Sequence, residues 1–208
     1  MGNIILFAPR RFDDDRGWFA EVFNARREAG DGIDVQFIQD NQCYSALPGT
    51  IRGIHFQRPP HAQTKLVRCS RGRLIDYAVD LRRGSPTYGR YIAAELSSEN
   101  GQQLFVLVGF GHAFMSLEPG TEICYKVDNY YSPNCDGGIR WDCPDIAIEW
   151  PLSGPAVLSD KDAALPTLRG FESPFAYDGI PCTWPASNER RSRATGRERD
   201  NRMVRCVF

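Results

Sequence analysis

Three side chains have an ordinary pKa suited to moving protons near neutrality: the histidines His55, His61 and His112. His55 lies in the run Gly49-Thr50-Ile51-Arg52-Gly53-Ile54-His55-Phe56-Gln57. In an extended strand Ile51, Gly53, His55 and Gln57 face one way, and Arg52 and Ile54 the other. Gly53 leaves room for something bulky to approach the backbone beside Arg52. His112 lies in Gly109-Phe110-Gly111-His112-Ala113-Phe114, a glycine-flanked turn running into a strand. His61 follows Pro59-Pro60 and reads as an exposed loop histidine. A histidine on a strand is more often structural than catalytic, so the polar residues that accompany it carry the argument.

The elements that must position these residues are strands. Long helical periodicity is absent, and short runs rich in β-branched and aromatic residues recur at 63–69, 74–81, 88–96, 103–108, 113–117 and 122–127. Gly, Pro, Asn and Asp punctuate them, the pattern of an all-β sandwich or barrel. In the run 74–81, Ile75, Tyr77, Val79 and Leu81 share one face, and Asp76, Ala78 and Asp80 the other. Those carboxylates can face water, or they can point into a barrel with a polar cavity; alternation alone leaves both orientations open. Organisation changes near Pro166, which divides a folded domain, 1–168, from a C-terminal extension, 169–208. The Arg-rich stretch from Glu189 to Arg205 has little apolar surface to bury and predicts a mobile tail. Its composition favours a solvated segment over an electrostatic contact with an anionic partner.

Composition sets wider bounds. The 208 residues are 42% hydrophobic and 25% charged, enough apolar material for a core without disulfide or metal staples. A net charge of -1 gives no global reason to expect a nucleic-acid or membrane partner. Seven cysteines, an odd number with no C-x-x-C pair, suggest neither a disulfide framework nor a zinc knuckle. The apolar run near Met1 is too short for a signal peptide and lacks a basic leader. No apolar stretch approaches the roughly 20 residues of a membrane span. A reduced, cytoplasmic protein is the expectation.

From Arg16 to Leu168 a series of stretches stands in a familiar order. They include Arg16-Gly17-Trp18-Phe19-Ala20-Glu21, Phe37-Ile38-Gln39-Asp40-Asn41, Ile51-Arg52-Gly53-Ile54-His55-Phe56-Gln57 and Gln63-Thr64-Lys65-Leu66-Val67. Val79-Asp80-Leu81-Arg82, Ser85-Pro86-Thr87-Tyr88-Gly89, Tyr125-Lys126, Asn129-Tyr130-Tyr131 and Leu158-Ser159-Asp160-Lys161-Asp162 continue it. On these the chain resembles the dTDP-4-dehydrorhamnose 3,5-epimerase family, the RmlC-like cupins. The resemblance implies an antiparallel jelly-roll (cupin-type) barrel with short helical segments, a homodimer and a cofactor-independent isomerase. It implies a dTDP-linked 4-ketosugar as substrate, inverted at carbons 3 and 5. By the same resemblance His55 is the base, Asp162 its carboxylate partner, Lys65 the cation beside the carbonyl oxygen and Tyr125 the acid. Arg16 and Arg52 match diphosphate-binding positions, Glu21, Gln39 and Asn41 nucleotide-binding ones, and Phe19 a contact to the base. His112, Tyr131 and Lys161 match the sugar or phosphate region, with Asp136 standing where a glutamate is usual. Gly111 and Ala113 exchange places with the usual Ala and Gly, leaving His112 in register.

Three other readings compete. A metal-dependent cupin would want a His-x-His run where this chain has His55-Phe56-Gln57, leaving His112 as the second imidazole. A single-centre 3- or 5-epimerase on a related nucleotide-linked 4-ketosugar would share the same acid–base residues. A silent sugar-nucleotide binding protein would need neither a base nor an opposed acid.

Overall fold

A computed structural model describes residues 4–180 and the backbone of a strand at 204–207. The strands in chain order are β1 (Ile5–Phe7), β2 (Arg11–Asp14), β3 (Gly17–Ala20), β4 (Gln39–Ser45), β5 (Ile51–Gln57), β6 (Lys65–Arg71) and β7 (Arg73–Asp80). They continue as β8 (Tyr91–Ser97), β9 (Gln103–Val106), β10 (Phe110–Ser116), β11 (Thr121–Val127), β12 (Asp136–Gly138) and β13 (Val204–Val207). Two short helices, α1 (Ala25–Gly30) and α2 (Asp160–Ala163), interrupt them. A five-stranded sheet, β1-β9-β6-β11-β4, and a six-stranded sheet, β12-β5-β10-β7-β8-β13, form the two walls of an antiparallel jelly roll. Among the described residues β2 and β3 pair only with each other. The Arg-rich stretch lies outside the described residues except for the backbone of β13, which pairs with β8. Among the described residues no helix is long and apolar enough to cross a membrane.

The two possible orientations of the Asp76 row resolve inward. Asp76, Ala78 and Asp80 pair with Phe114, His112 and Phe110 on β10, so they share the face that closes the space between the sheets. Tyr77, Val79 and Leu81 point outward, yet they are buried: the chain from Ile139 onward wraps over them with Ile146, Ile148 and Phe175. The six-stranded sheet is thus packed on both faces, which removes the need to turn its apolar row inward. The five-stranded sheet is covered less completely, with Asp40, Gln42 and Tyr44 exposed on its outer side. Beyond residue 168 the chain continues to pack, Phe171 and Phe175 setting their rings 5.2 and 5.7 Å from that of Phe56.

One irregularity decides which side chains of β5 reach the interior. His112 pairs with His55 and Phe114 with Arg52, so Gly53 and Ile54 together oppose Ala113. This is a β-bulge, in which one extra residue reverses the alternation beyond it. Arg52 therefore shares the face of His55, contrary to the strict alternation expected from the sequence. Gly53 has φ +125, and a Cβ there would lie 2.5 Å from Ala113 Cβ and 2.6 Å from the His112 carbonyl oxygen. The bulky group that approaches its backbone is the neighbouring strand.

Candidate active site

The histidine and carboxylate expected to form the base join a strand to a helix distant in sequence. His55 Nε2 lies 2.6 Å from Asp162 Oδ1, and the Gly53 N–H donates to Asp162 Oδ2 at 3.4 Å. Asp162 is held at this place by α2, whose N-cap Ser159 accepts from the Asp162 amide at 3.1 Å. Burial raises the Asp162 carboxyl, but the His55 hydrogen bond and charge, the Gly53 amide and Lys161 outweigh it and leave the carboxyl below its usual range. The carboxylate is thus ionised and fixes the imidazole, while Nδ1 of His55 makes no hydrogen bond among the described residues.

Tyr125, the expected acid, stands on the other sheet. Tyr125 on β11 pairs with Asn41 on β4 and Val67 on β6, and the Lys65 ammonium lies 5.8 Å from the Tyr125 ring centroid. Burial pushes the phenol above its usual range, the Cys43 thiol adds to this, and Arg52 works against it. A phenol so placed stays protonated near neutrality and can donate. Burial brings the Lys65 ammonium down to about 8, with Asp76 and Asp136 pulling it back up. Arg52 crosses from one sheet to the other, its Nη2 donating to the Tyr44 carbonyl at 3.0 Å. Its Nε is buried with no hydrogen-bond partner among the described residues.

Polar residues at the mouth tie the loops to these strands. Gln39 Nε2 donates to Asn41 Oδ1 at 2.8 Å, and Gln39 Oε1 accepts from the Tyr131 amide at 3.3 Å. Gln57 is consumed structurally: its amide nitrogen donates to the His61 and Tyr130 carbonyls, and its oxygen accepts from the Ser132 amide. Asp136 accepts from both the Tyr131 hydroxyl and the Lys161 ammonium. His61 is half-buried, not exposed, its backbone carbonyl holding Gln57.

Two further arrangements complete the placement of the expected site residues. Arg16, Phe19 and Glu21 lie on or just after the β2–β3 hairpin, where Arg16 bonds Asp14 and Glu21 bonds Arg27. Phe19 is 68% exposed. Among the described residues no hydrogen bond or ion pair joins these three to the cavity of the same chain. Conversely, His112 on β10 forms a second dyad, its Nε2 2.7 Å from Asp76 Oδ1. The inward carboxylate row was the signal for Asp76, and the β7–β10 pairing that supplies its imidazole was not visible in the sequence. A groove of about 500 Å³ lined by Val22, Phe23, Arg68, Cys124 and Lys126 lies on the outer side of the five-stranded sheet, behind Tyr125. Among the described residues no group of three His, Cys, Asp or Glu side chains is placed to hold a metal ion.

The sequence profile of the dTDP-4-dehydrorhamnose 3,5-epimerase family matches residues 1–170. The chain belongs to this family. A dTDP-4-dehydrorhamnose 3,5-epimerase of Sinorhizobium fredii is 50% identical over 177 residues, 85% of this chain and 91% of the relative. The crystal structure of the epimerase from Bacillus anthracis with TDP and PPi bound superposes with a TM-score of 0.77 at 47% identity, covering 79% of this chain and 94% of the other. The Legionella pneumophila enzyme in complex with dTDP-4-keto-L-rhamnose gives 0.78 at 37% identity, covering 87% and 94%. As in this epimerase family generally, the chain is a cupin jelly roll, and the dyads and the phenol face its interior.

Proposed function

We propose that the chain converts dTDP-4-dehydro-6-deoxy-D-glucose to dTDP-4-dehydro-L-rhamnose by moving protons at the two carbons beside the ketone. One observation carries this reading: a carboxylate-held imidazole on the inner face of one sheet and a protonated phenol on the inner face of the other. Inversion needs a base and an acid on opposite sides of the ring, and two facing sheets supply opposite sides. His55 takes a proton, the electron pair moves onto the C4 oxygen, and Lys65 stabilises the enolate in a site drier than water. Tyr125 then returns a proton to the far face. No cofactor enters, because enolisation is redox-neutral and the ketone is its own electron sink.

Arg52 is placed to hold the diphosphate, a bidentate task suited to guanidinium. Gln39 and Asn41 are the nucleotide's hydrogen-bonding partners, and His112, Tyr131, Asp136 and Lys161 surround the sugar and phosphate. Arg16, Phe19 and Glu21 belong to the site of a second copy in a homodimer; the exposure of Phe19 and the bonding of Arg16 and Glu21 to hairpin and helix neighbours support this. The five described cysteines are all free, in keeping with a cytoplasmic enzyme.

The test is proton exchange followed by NMR in heavy water. Deuterium should enter at carbons 3 and 5, with an L-configured product. Tyr125→Phe should keep exchange while losing inversion, and an equal fall in both would refute the acid assignment.

A further inference from the structure

We propose that Arg11 is a positioning residue that acts across the dimer: it sets the direction in which the β2–β3 hairpin leaves the chain, and so how Arg16 and Phe19 meet the nucleotide in a second copy's cavity. The proposal deepens the epimerase reading and rests on its two-chain site.

The hairpin is rooted at one point. Phe7, at the end of β1, pairs with Gln103 on β9, and the buried Gln103 side chain donates to the Val22 carbonyl at 2.7 Å. The chain on both sides of the hairpin therefore returns to a single residue. Between these anchors β2 and β3 pair with each other and with no other strand among the described residues. Two paired strands on their own are marginally stable, and a ribbon held at one point is free to swing about it. Among the described residues, the only hydrogen bonds that tie residues 8–20 to the rest of the chain are the two made by Arg11.

Arg11 docks on the turn between β8 and β9. Its Nη1 donates to the Glu99 carbonyl at 2.6 Å and its Nη2 to the Ser98 carbonyl at 2.5 Å. A guanidinium presents its donors in one rigid plane, so two such bonds fix direction as well as distance. The turn itself is braced: Asn100 Oδ1 accepts from the Ser97 and Gln102 amides at 3.0 and 2.9 Å, and Asn100 Nδ2 donates to the Glu95 carbonyl at 2.9 Å. Gly101 leaves room for the guanidinium, since a Cβ there would lie 2.9 Å from Arg11 Nη2. The same guanidinium covers the Trp18 ring, 4.2 Å from its centroid, so one side chain grips both strands of the hairpin.

The register gives the hairpin two unlike faces. Arg11 opposes Ala20 and Asp13 opposes Trp18, which puts these four on the face that docks on the turn. Phe12 opposes Phe19 on the other face, and both rings are at least half exposed. One face holds the hairpin to its own chain and the other is offered outward. At about 3.3 Å per residue the tip at Arg16 stands roughly 13 Å beyond Arg11, so a swing of about 10° moves it by roughly 2 Å. Misplacement by about 1 Å is enough to weaken a positioned contact. The contacts at stake lie on the nucleotide, away from the reacting carbons, so their loss weakens binding of substrate and transition state alike and is read in KM.

The experiment measures turnover of dTDP-4-dehydro-6-deoxy-D-glucose against its concentration in the full-length wild-type protein, Arg11→Ala and Arg11→Lys. Arg11→Ala, which removes two charge-assisted hydrogen bonds, should raise KM about 10-fold and leave kcat within about 2-fold. Arg11→Lys keeps the charge without the paired geometry and should fall between the two. An unmoved KM, or a fall in kcat at unchanged KM, would overturn the positioning role. Mixed dimers, purified through two different tags, locate the effect. With Arg11→Ala and His55→Ala on one chain and a wild-type second chain, the working site receives the altered hairpin, and KM should be raised. With the two substitutions on separate chains the working site receives an intact hairpin, and KM should match wild type. The reverse pattern would overturn action across the dimer. Wild-type protein that turned over no substrate would instead overturn the epimerase reading, and wild-type protein that was active as a monomer would overturn the two-chain site.

Discussion

Gly53→Ala tests whether the β5 bulge holds the site together. A Cβ at this position would sit 2.5 Å from Ala113 Cβ, 2.6 Å from the His112 carbonyl oxygen and 2.7 Å from Ala113 Cα. Two of those three atoms are backbone, so no rotamer change relieves the contact. Overpacking of this kind costs about 1–3 kcal/mol. The φ of +125 is disfavoured for an L side chain, adding roughly 1–3 kcal/mol. The sum, about 2–6 kcal/mol, is a large share of a typical domain's 5–15 kcal/mol. Urea unfolding should show a midpoint reduced accordingly, and turnover should fall further than the folded fraction, because the Gly53 amide also bonds Asp162. Gly154→Ala is the control: nothing lies within 4 Å of its added Cβ, and its stability should stay within about 0.5 kcal/mol of wild type. If Gly53→Ala matched the control in stability and turnover, the account of the bulge would be wrong.

Two further predictions concern charge. Lys65 must be protonated to stabilise the enolate, so kcat/KM should decline as pH rises through about 8; Lys65→Met should lose roughly 10²–10³-fold in kcat and lack that alkaline limb, and a variant that kept the limb would move its origin elsewhere. Asp80 is buried, and although burial raises its carboxyl, hydrogen bonds from Arg82, Ser85 and Thr87 bring it below the usual range. Its stabilisation is complete above the unfolded value, about 3.9, and is lost as pH falls through the lower folded value. Asp80→Asn, which removes the carboxylate charge facing Arg82, should cost about 1.5–3 kcal/mol at neutral pH and flatten the acid limb of a stability profile, whereas an unchanged profile would count against the pairing.

The sheet was legible where one chemical alternation ran uninterrupted. The run 74–81 shows period two and matches β7 (Arg73–Asp80), and the run 122–127 matches β11 (Thr121–Val127). At β10 the sequence reads Gly109-Phe110-Gly111 as a turn, but the strand starts at Phe110. Only Gly109 turns the chain there, at φ +93; Gly111 lies within the strand, where a Cβ would meet Ile54 at 2.4 Å. Glycine for turning and glycine for close approach look the same in a sequence. The His55–Asp162 pair spans 107 residues and the His112–Asp76 pair 36. Strand periodicity carries no information about such partners; the first came from family resemblance, and the second needed the β7–β10 pairing.

The unequal covering of the two walls has a consequence for how the enzyme can change over time. The wall that carries both imidazoles is packed on both faces by two cores, so its geometry is held from both sides. The wall that carries Tyr125 leaves the outer row of β4, Asp40, Gln42 and Tyr44, exposed on its back, and substitutions along that row meet less resistance. New sugar shapes would therefore be accommodated by remodelling the acid side and the mouth loops, while the proton-removing side stays as it is.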